Sequence, residues 1–335
     1  MMKTLDSISF TGHSRICLLI INILLLLFLS SCSSSDSPTT VTPKNTLEGK
    51  VFVLGAQVDE NSDLVLYISG TDLNGDPLTV ADLQTASVTI GAAAPINMGP
   101  NLDISAVSAS DNFLSLSLVT DYSNSTNSEL DNIATLYAQM LDNLPLVYEA
   151  QVITFSNNYE LKLNWTEAST DLQAIKDAVA LRHEPRGQTA LYDALGFALE
   201  GDLGVDGDGL IERCRPAHML VMFTDGAENA SFVYTDSNVL TSIISDDKTV
   251  VIILSTSTAD PDDLLSLAGD QGAVIQVSDT SSLLDEVGKW SVSLQNMVKF
   301  TLKSDTGFVG NTVSISIGTD TTTVVDHNQL LCTPL

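Results

Sequence analysis

The 335-residue sequence predicts an α/β fold in which a doubly wound, mainly parallel sheet covered by helices is inserted in, or flanked by, a β-sandwich. Three observations lead there. From about Phe113 to Asn296, short apolar runs alternate with stretches whose apolar residues recur every 3.6 positions, the rhythm of strand, helix, strand. On either side of that region apolar residues alternate at period two between turn residues. Finally, 44% hydrophobic residues with Gly 20 and Pro 10 describe a chain able to bury a core, which excludes wholesale disorder and collagen-like repeats.

Residues 1–31 read as a secretory signal. Lys3 and Arg15 precede the apolar run Ile16 to Leu29, broken only by Asn22 and, at 14 residues, shorter than the ~20 a spanning helix needs. The ending Leu29-Ser30-Ser31-Cys32 resembles the lipobox of bacterial lipoproteins, which implies cleavage before Cys32 and acylation of its sulfur and new amine. Each buried methylene contributes ~0.8 kcal/mol, so several acyl chains hold far more firmly than one. Ser33, in place of Asp after the cysteine, favours the outer membrane in Gram-negative lipoproteins. The expected location is therefore the bacterial cell envelope, lipid-anchored, at the outer membrane. Residues 32–47, the lipidated cysteine and the polar SSSDSPTTVTPKNT stretch with Pro38 and Pro43, read as a flexible tether.

Residues 48–111 show strand patterns VFVLGAQV, LVLYISG and ASVTIG with an Asn74-Gly75-Asp76-Pro77 turn. Residues 112–296 carry the α/β rhythm. FLSLSLVT from Phe113 precedes a helix over Ser128–Leu144. AQVITFS and YELKLNW form a hairpin around Asn157-Asn158, followed by helices over Thr170–Leu181 and Thr189–Leu199. The apolar strands HMLVMFT, TVVIILS and AVIQV then alternate with helices near Ser237–Ser245, Asp260–Ala268 and Ser281–Leu294. Ser115 and Ser117 interrupt the first strand and are expected to lie as small residues under close-packed helices. Period two returns in VKFTLKS, TVSISIG and TTTVV; residues 297–326 are too few for their own core and are expected to pair with residues 48–111. Residues 327–335 form a tail.

Charge narrows the function. The 42 acidic against 14 basic residues give a net charge of -28, and removing residues 1–31 leaves the chain near -29. Nucleic-acid binding, which needs clustered Lys and Arg, is excluded as a partner class. Of four cysteines, Cys17 leaves with the signal and Cys32 is taken by lipid. Cys214 and Cys332 remain in an oxidising compartment, either bridged as a disulfide or as two separate thiols.

The chemistry-bearing residues lie in three pieces. Asp121-Tyr122-Ser123-Asn124-Ser125 follows the first α/β strand, where the loops of an open sheet form the ligand crevice, and its alternate residues offer one carboxylate and two hydroxyls. Alone this D-x-S-x-S pattern is weak in a serine-rich chain. Gly187-Gln188-Thr189 opens the helix TALYDAL, and Thr224-Asp225-Gly226 ends the strand HMLVMF. Together, in this order, they resemble the metal-ion-dependent adhesion site of the von Willebrand factor A (VWA) domain, a Rossmann-like doubly wound fold, over about Asp111 to Asn296.

That resemblance implies that Ser123 and Ser125 bind a metal directly, that Thr189 does so directly or through water, and that Asp121 and Asp225 act directly or from behind those ligands. Hydroxyls and carboxylates suit Mg²⁺, with Mn²⁺ or Ca²⁺ as alternatives. An ion held mainly by neutral hydroxyls keeps enough positive charge to take a carboxylate from a partner. The expected function is thus a membrane-anchored, extracytoplasmic protein-binding module whose partner presents an Asp or Glu, and not an enzyme.

Each residue has an alternative reading: Asp121 and Asp225 as loop residues, Ser123 and Ser125 as helix caps, Thr189 as an N-cap, and Asp193 as a charge complementing a helix N-terminus. For the whole chain the alternative is an envelope assembly scaffold without metal-dependent binding. A hydrolase is disfavoured, since no G-x-S-x-G or H-E-x-x-H occurs. Asp206-Gly207-Asp208 resembles part of a calcium loop, but Gly204 and Arg215 stand where ligands belong, so it reads as a turn.

Overall fold

A computed structural model describes residues 44–324 apart from 109–110, 112, 145–147, 182–186, 202–208, 227, 235–239, 243, 245–248, 257–258, 270, 307, 309–310 and 318–319. The signal, the tether up to residue 43, Cys32, Asp206–Asp208, Cys332 and the tail 327–335 lie outside the described residues.

Fourteen strands occur among the described residues. They are β1 (Val51–Val58), β2 (Leu64–Gly70), β3 (Ser87–Ile90), β4 (Ile96–Asn97), β5 (Leu102–Ala106), β6 (Leu114–Asp121), β7 (Tyr148–Phe155), β8 (Tyr159–Glu167), β9 (Ala217–Thr224), β10 (Val250–Thr256), β11 (Ala273–Val277), β12 (Val298–Leu302), β13 (Val313–Ile317) and β14 (Asp320–Val324). The helices are α1 (Val80–Leu83), α2 (Leu130–Asn143), α3 (Ala168–Ala180), α4 (Leu191–Glu200), α5 (Pro261–Ala268) and α6 (Thr280–Gln295). Of the helix expected near Ser237–Ser245, residues 240–242 and 244 are helical and the rest is outside the described residues. The sequence reading missed α1, one turn closed by a capping box between Thr79 and Asp82.

The parallel strands run in the order β11, β10, β9, β6, β7, with β8 antiparallel on the outer edge. The chain enters at β6, moves one way to β7 and then returns to β9 on the other side. The switch point therefore lies between the carboxyl ends of β6 and β9, where such sheets place their ligand crevice. On one face Ile133, Leu136 and Met140 of α2, Ile175 of α3 and Leu283 and Trp290 of α6 share a core with alternate strand residues such as Leu116, Leu118 and Val221. On the other, Leu195 of α4 and Leu264 of α5 pack with Val119, Met222 and Ile253. Burial on both faces is why β9 and β10 are almost continuously apolar.

Ser115 and Ser117 are fully buried, but they do more than make room for helices. Ser115 Oγ donates to Glu149 Oε1 at 2.7 Å, and the Ser117 hydroxyl accepts from Gln151, whose amide also donates to Ala198 O in α4. These hydroxyls satisfy polar groups of β7 that burial would otherwise leave without partners.

The flanking strands pair across the α/β region: β12 lies between β2 and β5, and β13 between β3 and β14. Residues of both sets, among them Leu66, Val88, Phe300 and Ile315, share one apolar core between the two sheets. The larger flanking sheet is not separate from the α/β sheet, because β1 pairs with β9 through Gly55 and Ala217. A Cβ at Gly55 would stand 2.3 Å from Pro216 O, so only glycine admits this approach; the register of β1 shifts at the same point. No helix among the described residues is long and apolar enough to cross a membrane.

Candidate metal centre

Asp121 is the last residue of β6 and is fully buried. Its Oδ1 accepts the backbone N–H of Ser123 at 2.7 Å and its Oδ2 accepts the Thr224 hydroxyl at 2.8 Å, so it joins the ends of β6 and β9. The chain then enters a 3₁₀ turn, Asn124–Ser128, that points two hydroxyls the same way. Thr126 Oγ1, donating to Asp121 O at 2.9 Å or Ser123 O at 3.0 Å, holds that turn. Ser123 and Ser125 lie 3.1 Å apart at Oγ, and Ser125 Oγ donates to Asp225 Oδ1 at 2.9 Å. Asp225 follows β9 directly and is 7% exposed. Residues a hundred positions apart in sequence are thus in hydrogen-bond contact.

Thr189 arrives by a different route. Asn157 Oδ1, in the β7–β8 hairpin, accepts the Gln188 N–H at 2.6 Å; Asn229 Oδ1 accepts the Thr189 N–H at 2.8 Å, and the Asn229 N–H returns to Thr189 O at 3.1 Å. Gly187 must take φ +66 for the chain to pass Asn157, and a Cβ there would lie 2.2 Å from Asn157 Oδ1. Thr189 Oγ1 stands 3.5 Å from the position a Cβ would take on Gly226, beside Asp225. Helix α4 begins at Leu191 with Ala190 at its N-cap, so Thr189 is not the cap. Ser123 occupies the N-cap position of the 3₁₀ turn but makes no side-chain capping bond.

All five residues named from the sequence, Asp121, Ser123, Ser125, Thr189 and Asp225, therefore fall at one end of the sheet. Cys214 is exposed and makes no disulfide among the described residues.

Electrostatics mark the cluster as short of positive charge. Burial lifts the Asp121 carboxyl up to about 6; bonds from Ser123 and Thr224 hold it partly down, and the Asp225 charge adds to the rise. Burial likewise raises Asp225, opposed by Ser125 and reinforced by Glu129. Two desolvated carboxylates with three hydroxyls make an all-oxygen donor set, the chemistry of a hard divalent cation rather than of a thiol- or imidazole-seeking one. The residues present fit such an ion.

Sequence reasoning missed several residues that build the site. Thr224 was visible in Thr224-Asp225-Gly226 but had no role until its bond to Asp121 was seen. Asn157 read only as a turn residue, and Asn229 carried no signal. Glu129, bonded to the Thr280 hydroxyl at the start of α6, sits near enough to Asp225 to raise its pKa. Asp193 does stand in the first turn of α4, but its carboxylate faces the loop after Asp225.

Among solved structures, proximal thread matrix protein 1 from the mussel byssus matches at 18% identity over 59% of this chain and 49% of its own, with a TM-score of 0.44. A von Willebrand factor type A protein from Catenulispora acidiphila matches at 12% identity over 86% of this chain and 73% of its own, TM-score 0.45. BatB, a conserved hypothetical protein from Bacteroides thetaiotaomicron, matches at 14% identity over 54% of this chain and 98% of its own, TM-score 0.40. The chain spans about half the length of the mussel byssus protein. No curated protein sequence matches. A family model of the von Willebrand factor type A domain matches residues 116–289, more than half of the sequence, and the chain belongs to that family.

Proposed function

We propose that this protein is an envelope-anchored docking module that grips a carboxylate of a partner protein through a Mg²⁺ ion at the end of β6 and β9. Domains of this family commonly mediate protein–protein interaction and often bind a divalent metal at such a site. The observation that carries the reading is the run of contacts from Ser123 Oγ to Ser125 Oγ to Asp225 Oδ1, at 3.1 and 2.9 Å, beside two carboxylates whose pKa values burial has raised.

Ser123, Ser125 and Thr189 would hold the ion through neutral oxygens, with Asp121 and Asp225 supplying charge. When bound, the ion supplies a Lewis-acidic position able to accept an anionic oxygen. The rest belongs to the chain. Asp121 orients Ser123 by accepting its N–H, Thr126 fixes the turn that aims both serines, and Asn229 and Asn157 hold the backbone that carries Thr189. In this reading the bond from Ser125 to Asp225 positions oxygens for the ion, and the chemistry proposed is capture rather than bond cleavage.

Support for the anchor comes from Leu29-Ser30-Ser31-Cys32 and the polar stretch after it, read as a lipid attachment and a tether at the outer membrane. Residues 48–111 and 297–326 serve in this reading as the base that carries the metal-bearing α/β unit of residues 112–296.

Calorimetric titration of Mg²⁺ or Mn²⁺ into detergent-solubilised full-length protein tests the centre. Saturable heat in the wild type, absent in Asp225→Ala with unchanged circular dichroism, is expected; no heat in the wild type overturns the reading. Radiolabelled palmitate incorporation that Cys32→Ala abolishes tests the anchor, and labelling unaffected by that change overturns it.

A further inference from the structure

In the segment after Asp225, Glu228, Ser231, Phe232, Val233 and Tyr234 are fastened to α4. Glu228 accepts backbone N–H groups from Tyr192 at 2.9 Å, Ala230 at 2.8 Å and Ser231 at 2.6 Å, and the Ser231 hydroxyl at 2.7 Å. Asp193 accepts the next three, from Phe232, Val233 and Tyr234, each at 2.8 Å. Bonds from backbone amides to a carboxylate are among the stronger ones a protein makes, so this stretch is rigid.

What this rigid stretch presents to water is apolar. Phe232 is 88% exposed and Val233 53% exposed. Single exposed hydrophobic residues are ordinary. This adjacent pair differs in being held outward by a carboxylate that ties down its own backbone, and in its position. Asn229, three residues before Phe232, exchanges two hydrogen bonds with Thr189. At no more than ~3.6 Å per residue, the Cα of Phe232 lies within roughly 11 Å of that of Asn229. The apolar tip therefore belongs to the same loop that holds the backbone of Thr189.

We infer that Phe232, with Val233 beside it, is the specificity-determining apolar anchor of the docking face. The inference rests on the docking reading above. Its occupant is a partner polypeptide that carries an aliphatic or aromatic side chain within about four residues of its metal-seeking carboxylate, a spacing set by ~3.3 Å per extended residue. Charge selects this occupant over others. With a net charge of -28, the chain repels an anionic lipid surface and a second copy of itself, while a polypeptide neutral or basic around one acid is attracted. An aromatic residue seated against an apolar side chain next to the ionic contact also excludes water from it, the arrangement found at binding hot spots.

A peptide array separates the two ideas. Peptides with a central Glu and flanking positions scanned with Leu, Phe, Ser and Lys are probed with full-length protein in Mg²⁺ and in EDTA. The inference expects Mg²⁺-dependent capture that favours Leu or Phe within about four positions of the Glu and is lost when that Glu becomes Gln. Phe232→Ser should weaken it roughly tenfold or more, Phe232→Leu should retain it, and Mn²⁺ affinity by calorimetry should stay unchanged in both. Mg²⁺-dependent capture indifferent to the flanks, or equal in Phe232→Ser, overturns the anchor and leaves the docking reading standing. Absence of any Mg²⁺-dependent, Glu-dependent capture overturns both.

Discussion

Replacing Asp121 with asparagine is expected to stabilise the metal-free protein near neutral pH while abolishing its response to metal. The magnitude follows from burial. Asp121 is fully buried, and its carboxyl is pushed up from 3.8 to about 6. A shift of ~2 units corresponds to about 3 kcal/mol between the two protonation states. Because the folded-state value lies above the unfolded one, the native protein holds the extra proton between the two. The associated stability is complete below 3.8 and is lost as pH rises through about 6.

Near neutral pH the metal-free wild type therefore bears the full cost of a desolvated anion. Asparagine has the same shape; its Oδ1 still accepts the Ser123 N–H, and the Thr224 hydroxyl can turn to Gly226 O, already 3.3 Å away, while accepting from the new amide. The variant should then be more stable than wild type in EDTA by about 2–3 kcal/mol near neutral pH, the difference vanishing as pH falls to the ordinary Asp range. Saturating Mg²⁺ should reverse the order, since it stabilises only the protein that binds it. Urea unfolding followed by fluorescence of Trp165 and Trp290 across pH, with EDTA or Mg²⁺, measures this. A variant less stable than wild type in EDTA, or a gap indifferent to pH, would refute the reasoning.

Three further outcomes are expected. Glu149, 5% exposed in β7, accepts Arg213 at 2.8 and 2.7 Å and Ser115 at 2.7 Å, with Arg215 at 3.4 Å; Glu149→Gln should cost about 3 kcal/mol in urea unfolding, because a buried pair loses its anion. Burial alone would raise that carboxyl, but the bonds and charges of Arg213, Ser115 and Arg215 hold it below 4.5, so its stabilisation is present above that value and is lost as pH falls through the lower folded one; acid titration of Glu149→Gln against wild type should show the gap closing. Gly187→Ala forces a side chain into φ +66 and onto Asn157, with an expected loss of roughly 1–3 kcal/mol and weaker Mg²⁺ binding by calorimetry.

Much of this architecture was legible in the one-dimensional pattern. The apolar spacing of Leu130, Ile133, Leu136, Tyr137, Met140 and Leu141 marks the inner face of α2, and these residues are its buried ones. Val250 to Leu254 form an unbroken apolar run because helices cover both faces of β10. Asp121, Ser123, Ser125, Thr189 and Asp225 were recognisable because each piece sits just past or just before a periodic element. Asp193 illustrates the limit. In sequence it is an acidic residue in the first turn of a helix, a favourable position needing no other account, yet in the fold it receives three amides from residues about forty positions away.

The sequence by itself determined what the longer periodic segments are, since whether a strand or helix buries one face or two is written in the segment's own period. Only the tertiary structure decided how segments meet: that β1 reaches β9 at Gly55, that Asn157 and Asn229 carry Thr189 to Gly226, and that Glu228 and Asp193 turn Phe232 outward. The physical reason lies in range. Burial is a property that neighbouring residues share and repeat, whereas a hydrogen bond is satisfied by any donor at the right distance, so its partner is settled only when distant parts of the chain have packed.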